Sequence, residues 1–297
     1  MASRIQKLTK DGLINPPKWM PQNMHYETQM GSIVYGVSQD DSDVDVYGFC
    51  IPPKDMIFPH LAGEIPGFGN QIKRFEQYQQ HHVLDKNSGK EYDFTVYSIV
   101  KYFQLCMENN PNMIDSLFVP DRCVLYQTKI AQMVREKRKM FLHKGANFKF
   151  RGYAYAQKSK IGTKETSANP KRQHDIDTYG YSLKYAYHLI RLLLQAEQIL
   201  MEHDLDITRN RELLKSIRRG EWSLDRVMNY FDEKEKYLEE LYIKSDLQNA
   251  PDEMSIKLLL MECLEEHYGS LSEAVKVQVP IDKLISELKT VLEKYEM

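Results

Sequence analysis

The sequence predicts an α+β protein: a mixed α/β domain over residues 1–145, then an α-helical domain over 146–297, with a cleft between the two. Short runs rich in β-branched and aromatic residues, stopped by Pro, Gly or Asn, are confined to the first half. From about Lys149 onward apolar residues recur every three to four positions almost without interruption. No internal repeat and no low-complexity tract breaks this division.

The elements follow in order. Val44 to Ile51 reads as a strand that stops at Pro52-Pro53. Phe75 to Leu84 and Glu91 to Tyr97 read as a hairpin, because Asp85-Lys86-Asn87-Ser88-Gly89-Lys90 between them carries turn residues. Val96 to Asn109 is helical, with Ile99, Val100, Phe103, Cys106 and Met107 on one stripe before the Asn-Asn-Pro break. Tyr181 to His203 is the clearest helix, carrying Leu183, Tyr187, Ile190, Leu194 and Ile199 at helical intervals. Thr208 to Arg219, Ser223 to Ser245 and Asp252 to His267 follow with cap residues at their ends, and Pro280 to Lys294 is again amphipathic.

Composition excludes several classes. Apolar residues make up 42% and charged residues 28%, which is globular rather than disordered or fibrous. The apolar stretch Leu189 to Leu194 is cut by Arg191 and falls far short of a membrane span. No apolar core follows the charged N-terminus, so no secretory signal is read and a cytoplasmic location is expected. Cys50, Cys106, Cys123 and Cys263 are scattered without C-x-x-C spacing and read as reduced packing residues. Charge is uneven along the chain: residues 144–172 hold eight Lys/Arg against Glu165 alone, while 232–297 hold sixteen Asp/Glu against eight Lys. The basic segment suits an anionic substrate; its alternative is a solvated charged loop.

The stretch from Gly31 to Asp45, GSIVYGVSQDDSDVD, carries the chemistry. Gly31 lets a backbone approach phosphate closely, and Ser32 at the start of a short helix presents N–H and hydroxyl donors. Asp43 and Asp45, two apart at the start of a strand, send both side chains to one face. Paired carboxylates repel unless a cation lies between them, and hard oxygen ligands that leave positions open for phosphates suit Mg²⁺, with Mn²⁺ as a substitute.

Gly31-Ser32, a gap of ten residues, then Asp43-x-Asp45 resembles the signature of DNA-polymerase-β-type nucleotidyltransferases. Ser38 to Gly48, Asn109-Asn110-Pro111-Asn112 and Lys184 to Arg191 are similar to a bacterial and phage branch of that superfamily linked to RNA repair, over roughly residues 25 to 200. The resemblance implies a polymerase-β-like catalytic domain with a mixed sheet and a two-ion Mg²⁺ site. It also implies transfer of a nucleoside monophosphate from a nucleoside triphosphate to an acceptor hydroxyl. It implies a third carboxylate on a neighbouring strand, which holds metal and receives the acceptor's proton: Asp93 fits, Glu91 competes on the same face, and Glu76 is a distant third.

Lys184, His188, Arg191 and Gln195 share one helix face, and the resemblance implies that Lys184 grips the triphosphate with His188 and Arg191 in support. The competing reading is a solvent-facing stripe. Lys158 and Lys160, then Lys171 and Arg172 beyond a Gly/Thr/Ser/Pro-bearing segment, suggest a basic flap over substrate, or a loop with no task. His81 and His82, adjacent on a strand, are expected to face opposite sides and to be structural or exposed. The 19 tyrosines include candidates for base stacking, but helical spacing favours core positions and none is assigned a base. An RNA 3′ end is the expected acceptor; a protein side chain, a small molecule, or a nucleotide- or RNA-binding module without turnover are the alternatives.

Overall fold

In the computed structural model, which describes residues 2–37, 44–71, 73–86, 88–161, 170–269 and Leu288, the strand around Asp45 is the centre of the sheet. Five strands form: β1 (Met24–Gln29), β2 (Val44–Cys50), β3 (Gln77–Asp85), β4 (Lys90–Ser98) and β5 (Val124–Gln127), in the order β3-β4-β2-β1-β5. β2 and β4 are parallel; β1–β2, β1–β5 and β3–β4 are antiparallel. The mixed α/β fold and the hairpin match expectation to within a residue or two at strand ends. β1 and β5 were not foreseen.

Alternation along β2 sends Val44 and Val46 to one face and Asp45, Tyr47 and Phe49 to the other. The first face is covered by α1 (Arg4–Lys10) and the segment after it, with Ile5, Leu8, Ile14 and Met20 packed on Val46, Phe94 and Val96. β1 holds α1 in place through Glu27, which is fully buried and accepts the Arg4 and Ile5 amides at 2.6 and 3.0 Å.

Helices cover the second face: after α2 (Lys54–Ile57) come α3 (Ile99–Met107), α4 (Pro111–Phe118), α5 (Lys129–Glu136), α6 (Gly145–Ile161), α7 (Pro170–Tyr179), α8 (Leu183–Glu202), α9 (Arg211–Arg218), α10 (Leu224–Lys244) and α11 (Glu253–Tyr268). α8 is the central helix of this layer, packed against α6, α9 and α10. One apolar cluster runs from Tyr26 and Phe49 on the sheet through α8 to Leu259 and Cys263 of α11, so the core crosses residue 145 without a break. All four cysteines are buried and unpaired, as packing residues should be. Among the described residues no helix is long and apolar enough to cross a membrane. Apart from Leu288, the amphipathic run over 280–294 lies outside the described residues.

Candidate active site

The chain leaves β1 still tied to β2, since the Met30 amide donates to the Asp45 carbonyl at 2.7 Å. Gly31 then takes φ +76°, and a Cβ there would overlap the Asp45 carboxylate, so only glycine lets the turn lie against that side chain. Gly31–Ile33 makes one 3-10 turn, closed by Val34 N–H to Gly31 O at 3.2 Å and Val37 N–H to Ser32 O at 3.0 Å. Asp43 lies outside the described residues.

The parallel register sets Asp45 directly beside Asp93, within the run from Val44↔Tyr92 to Cys50↔Ser98. Neighbours in register point to the same face, so two partly exposed carboxylates stand side by side. Glu91 is one step farther out, and its carboxylate is 2.5 Å from His82 Nδ1. Glu76 is removed altogether: it pairs with Lys101 at 3.8 Å, near the opposite end of β4. Among the described residues no three His, Cys, Asp or Glu side chains gather as a metal group, the Asp43 position being outside that set.

His81 and His82 do not split to opposite sides as expected from simple alternation. The β3–β4 register shifts between Gln80 and Val83, and His82 takes φ +57° in this bulge. The His82 amide donates to Asp93 Oδ1 at 2.8 Å, and His81 Nδ1 lies 3.5 Å from the same oxygen. Both imidazoles are exposed, yet the bulge turns them to the acidic face, a result of pairing that period-two reasoning misses.

On the helical layer, the polar stripe of α8 divides. Lys184 is exposed and forms no ion pair among the described residues. His188 is partly buried against the Tyr187 ring at 4.1 Å, and burial, then Arg191, Lys184 and Arg218, hold its pKa well below the usual histidine value. Its imidazole is therefore neutral at pH 7. Arg191 and Gln195 face neither solvent nor substrate. Asp115, fully buried, accepts from Arg191, from Tyr35 Oη at 2.6 Å and from Gln195 Nε2 at 2.7 Å, while Arg191 also covers the Tyr35 ring at 4.2 Å. This corrects the expectation for Arg191, because a guanidinium 5% exposed and bonded to a buried carboxylate is a joint between α8, α4 and the Gly31–Val37 segment.

A cation that sequence patterns do not point to is Arg218, at the end of α9. It lies 5.2 Å from the Tyr187 ring, and Tyr187 is in electrostatic range of both Arg218 and Asp45. Sequence offers no signal for it, since a basic residue ending a helix is common for dipole reasons alone. Arg172 and Lys160 both cover Tyr185, at 4.9 and 5.9 Å, on the same side of α8. Lys158 instead lies over Phe231 at 3.8 Å and bonds Asp232 at 3.2 Å. Residues 162–169 and the Lys171 side chain fall outside the described set. A cleft of about 520 Å³ lined by Phe118, Gln127, Arg135, Arg138 and Leu205 contains none of these groups, and the chemistry argues for the carboxylate face instead.

The chain is similar to known proteins in three respects. A solved nucleotidyltransferase-like protein from Exiguobacterium sibiricum 255-15 aligns over 89% of this chain and 79% of its own, at 9% identity and a TM-score of 0.28. An uncharacterized 38.9 kDa protein in the nrdC-mobD intergenic region of Enterobacteria phage T4 is 27% identical over 142 residues, 46% of this chain; the match covers 38% of the phage protein. Residues 14–244 match the family described as RNA repair pathway DNA polymerase beta family. With most of its length matched, the chain belongs to that family, while it spans well under two thirds of the phage relative's length.

Proposed function

We propose that this enzyme transfers a nucleoside monophosphate from a nucleoside triphosphate to the 3′ hydroxyl of an RNA, releasing pyrophosphate. The observation that carries the reading is the in-register pair Asp45–Asp93 with the Gly31 turn lying against the Asp45 carboxylate. Asp45 and Asp93 offer only oxygen donors, which suit Mg²⁺ or Mn²⁺, and Asp43, outside the described residues, would be the third ligand; adjacent carboxylates are stabilised by such a cation. When bound, the ions would neutralise charge on the attacking and leaving oxygens.

The chain's own residues supply the rest. The Gly31–Ser32 turn offers backbone donors to phosphate, and Lys184 and Arg218 bind the outer phosphates. In the reaction the acceptor oxygen bonds the α-phosphorus, the bond from that phosphorus to the bridging oxygen breaks, and its electron pair leaves with pyrophosphate. The His82 amide holds one oxygen of Asp93, leaving the other to take the acceptor's proton. In this reading the division at 145/146 is functional: residues 1–145 carry the carboxylates and 146–297 the cations.

The RNA acceptor rests on the family and not on the basic segment, most of whose described cations are engaged within the protein. The test is incubation of the pure protein with each labelled triphosphate, Mg²⁺ and pooled RNA. Label joined to RNA is the expected result; label joined instead to protein or to a small alcohol would replace the acceptor, and no incorporation would defeat the reading.

A further inference from the structure

The sheet order gives the site two sides. Gly31 follows β1, on one side of β2, and its turn lies against the Asp45 carboxylate. Asp93 stands on β4, on the opposite side. On that side the carboxylate face continues as tyrosine. Tyr47 follows Asp45 by two residues in β2; Tyr97 follows Asp93 by four in β4, so alternation keeps all four on one face. Tyr153 reaches toward them from α6, 38% exposed, its hydroxyl fixed by Asn110 Nδ2 at 3.0 Å. Tyr153 lies in electrostatic range of both Tyr47 and Tyr97, so the three rings share one patch. Tyr47 and Tyr97 are only partly buried. Beyond them, exposed Gln77 and Gln79 pair with Tyr97 and Thr95 and so share the face.

None of these groups is needed to hold metal or triphosphate. Aromatic rings beside exposed amides are what an unpaired base requires, since every base has a face to stack and an edge to hydrogen-bond. Lys101 of α3 and Lys149, one turn before Tyr153 on α6, are paired with Glu76 and Glu108, so stacking rather than charge is the expected grip. We propose that Tyr47, Tyr97 and Tyr153 seat the terminal nucleobase of a single-stranded nucleic acid whose 3′ hydroxyl is thereby delivered to Asp93. This deepens the reading above and rests on it for the identity of the reacting hydroxyl.

The test uses the full chain and two 5′-labelled single-stranded RNA octamers, one normal and one lacking its 3′-terminal base. Tyr153→Ala should weaken binding of the normal octamer about 5- to 100-fold, the range for one stacked base, with Tyr153→Phe restoring it. Tyr97→Ala should act in the same direction. Removing the terminal base should cost the wild-type protein a similar factor and cost Tyr153→Ala almost nothing further, because both changes delete one contact. Nucleoside triphosphate affinity should not move. The proposal is overturned if Tyr153→Ala binds the octamer within twofold of wild type, if the two deletions multiply, or if triphosphate affinity falls instead. Octamer binding needs no turnover, so an enzyme that incorporates no nucleotide would defeat the catalytic reading while leaving this result to stand or fall alone.

Discussion

Two basic regions lie on the helical layer, and they have opposite fates. On α6, Arg151 bonds Glu235 at 2.8 Å and Glu239 at 3.1 Å, Lys158 bonds Asp232, and Lys149 bonds Glu108 at 3.3 Å. The basic run and the acidic run of the sequence are therefore partly complements, met across the contact between α6 and α10. On α8 and α9, Lys184 and Arg218 make no ion pair within 4 Å among the described residues; Arg218 lies over the Tyr187 ring, with Asp175 in electrostatic range. Density of charge in a sequence does not mark a site; charge left uncompensated after folding does.

Breaking the buried joint should give the largest effect. Arg191→Ala leaves Asp115 buried without its cation, and such losses cost about 3–5 kcal/mol, measurable as a lowered denaturation midpoint. If stability held but triphosphate binding collapsed, Arg191 would belong with Lys184 and not with the joint. Next, Asp45→Asn should lower turnover at least ~10²–10³-fold with no loss in Tm, since it removes a metal ligand and relieves repulsion with Asp93. Glu235→Gln on the paired side should leave turnover near wild type. Equal kinetic damage from both would erase the distinction.

Lys184→Ala and Arg218→Ala should each weaken triphosphate binding by roughly 10- to 100-fold, the worth of a charge-assisted contact. A titration showing Lys149→Ala equally harmful would put the phosphate site on α6. Smallest of all, Lys149→Ala should shift stability by less than about 1 kcal/mol, because the Lys149–Glu108 bridge is exposed. His188 adds a pH arm. Its pKa is depressed in the folded protein, so the unfolded chain binds the proton first and stability is lost as pH falls below about 6.5. His188→Gln should flatten that slope in acid denaturation; an unchanged slope would mean the imbalance lies elsewhere.

Much of this is legible in the sequence. β2, the hairpin β3–β4 and α8 to α11 announce themselves through alternation or helical periodicity, Gly31, Ser32 and Asp45 stand out by residue type and spacing, and Asp93 only through the family resemblance, with Glu91 competing on the same face. β1 is hidden because Met24–Gln29 is nearly all buried yet holds His25, Glu27 and Thr28, so it shows no polar–apolar alternation. Glu27 is there to cap α1, a pairing 22 residues distant. The histidine bulge is invisible because it arises from the register between two strands. Arg191 and Gln195 mislead because a stripe of polar residues on a helix looks the same whether it faces water or a buried aspartate. Asp43 is legible as a ligand and lies outside the described residues.

The Asp115 joint has a consequence for how substrate arrives. Tyr35, a few residues past the Gly31–Ser32 turn, is bonded to the same carboxylate as Arg191 and Gln195 of the helix that bears Lys184. The two walls of the phosphate slot are thus fastened to each other from behind, and spreading them would strand a buried charge. Under the proposed function, nucleotide capture should then run at the pace of encounter and desolvation rather than of domain closure, and a burst of nucleotide binding unaffected by solvent viscosity would count against it.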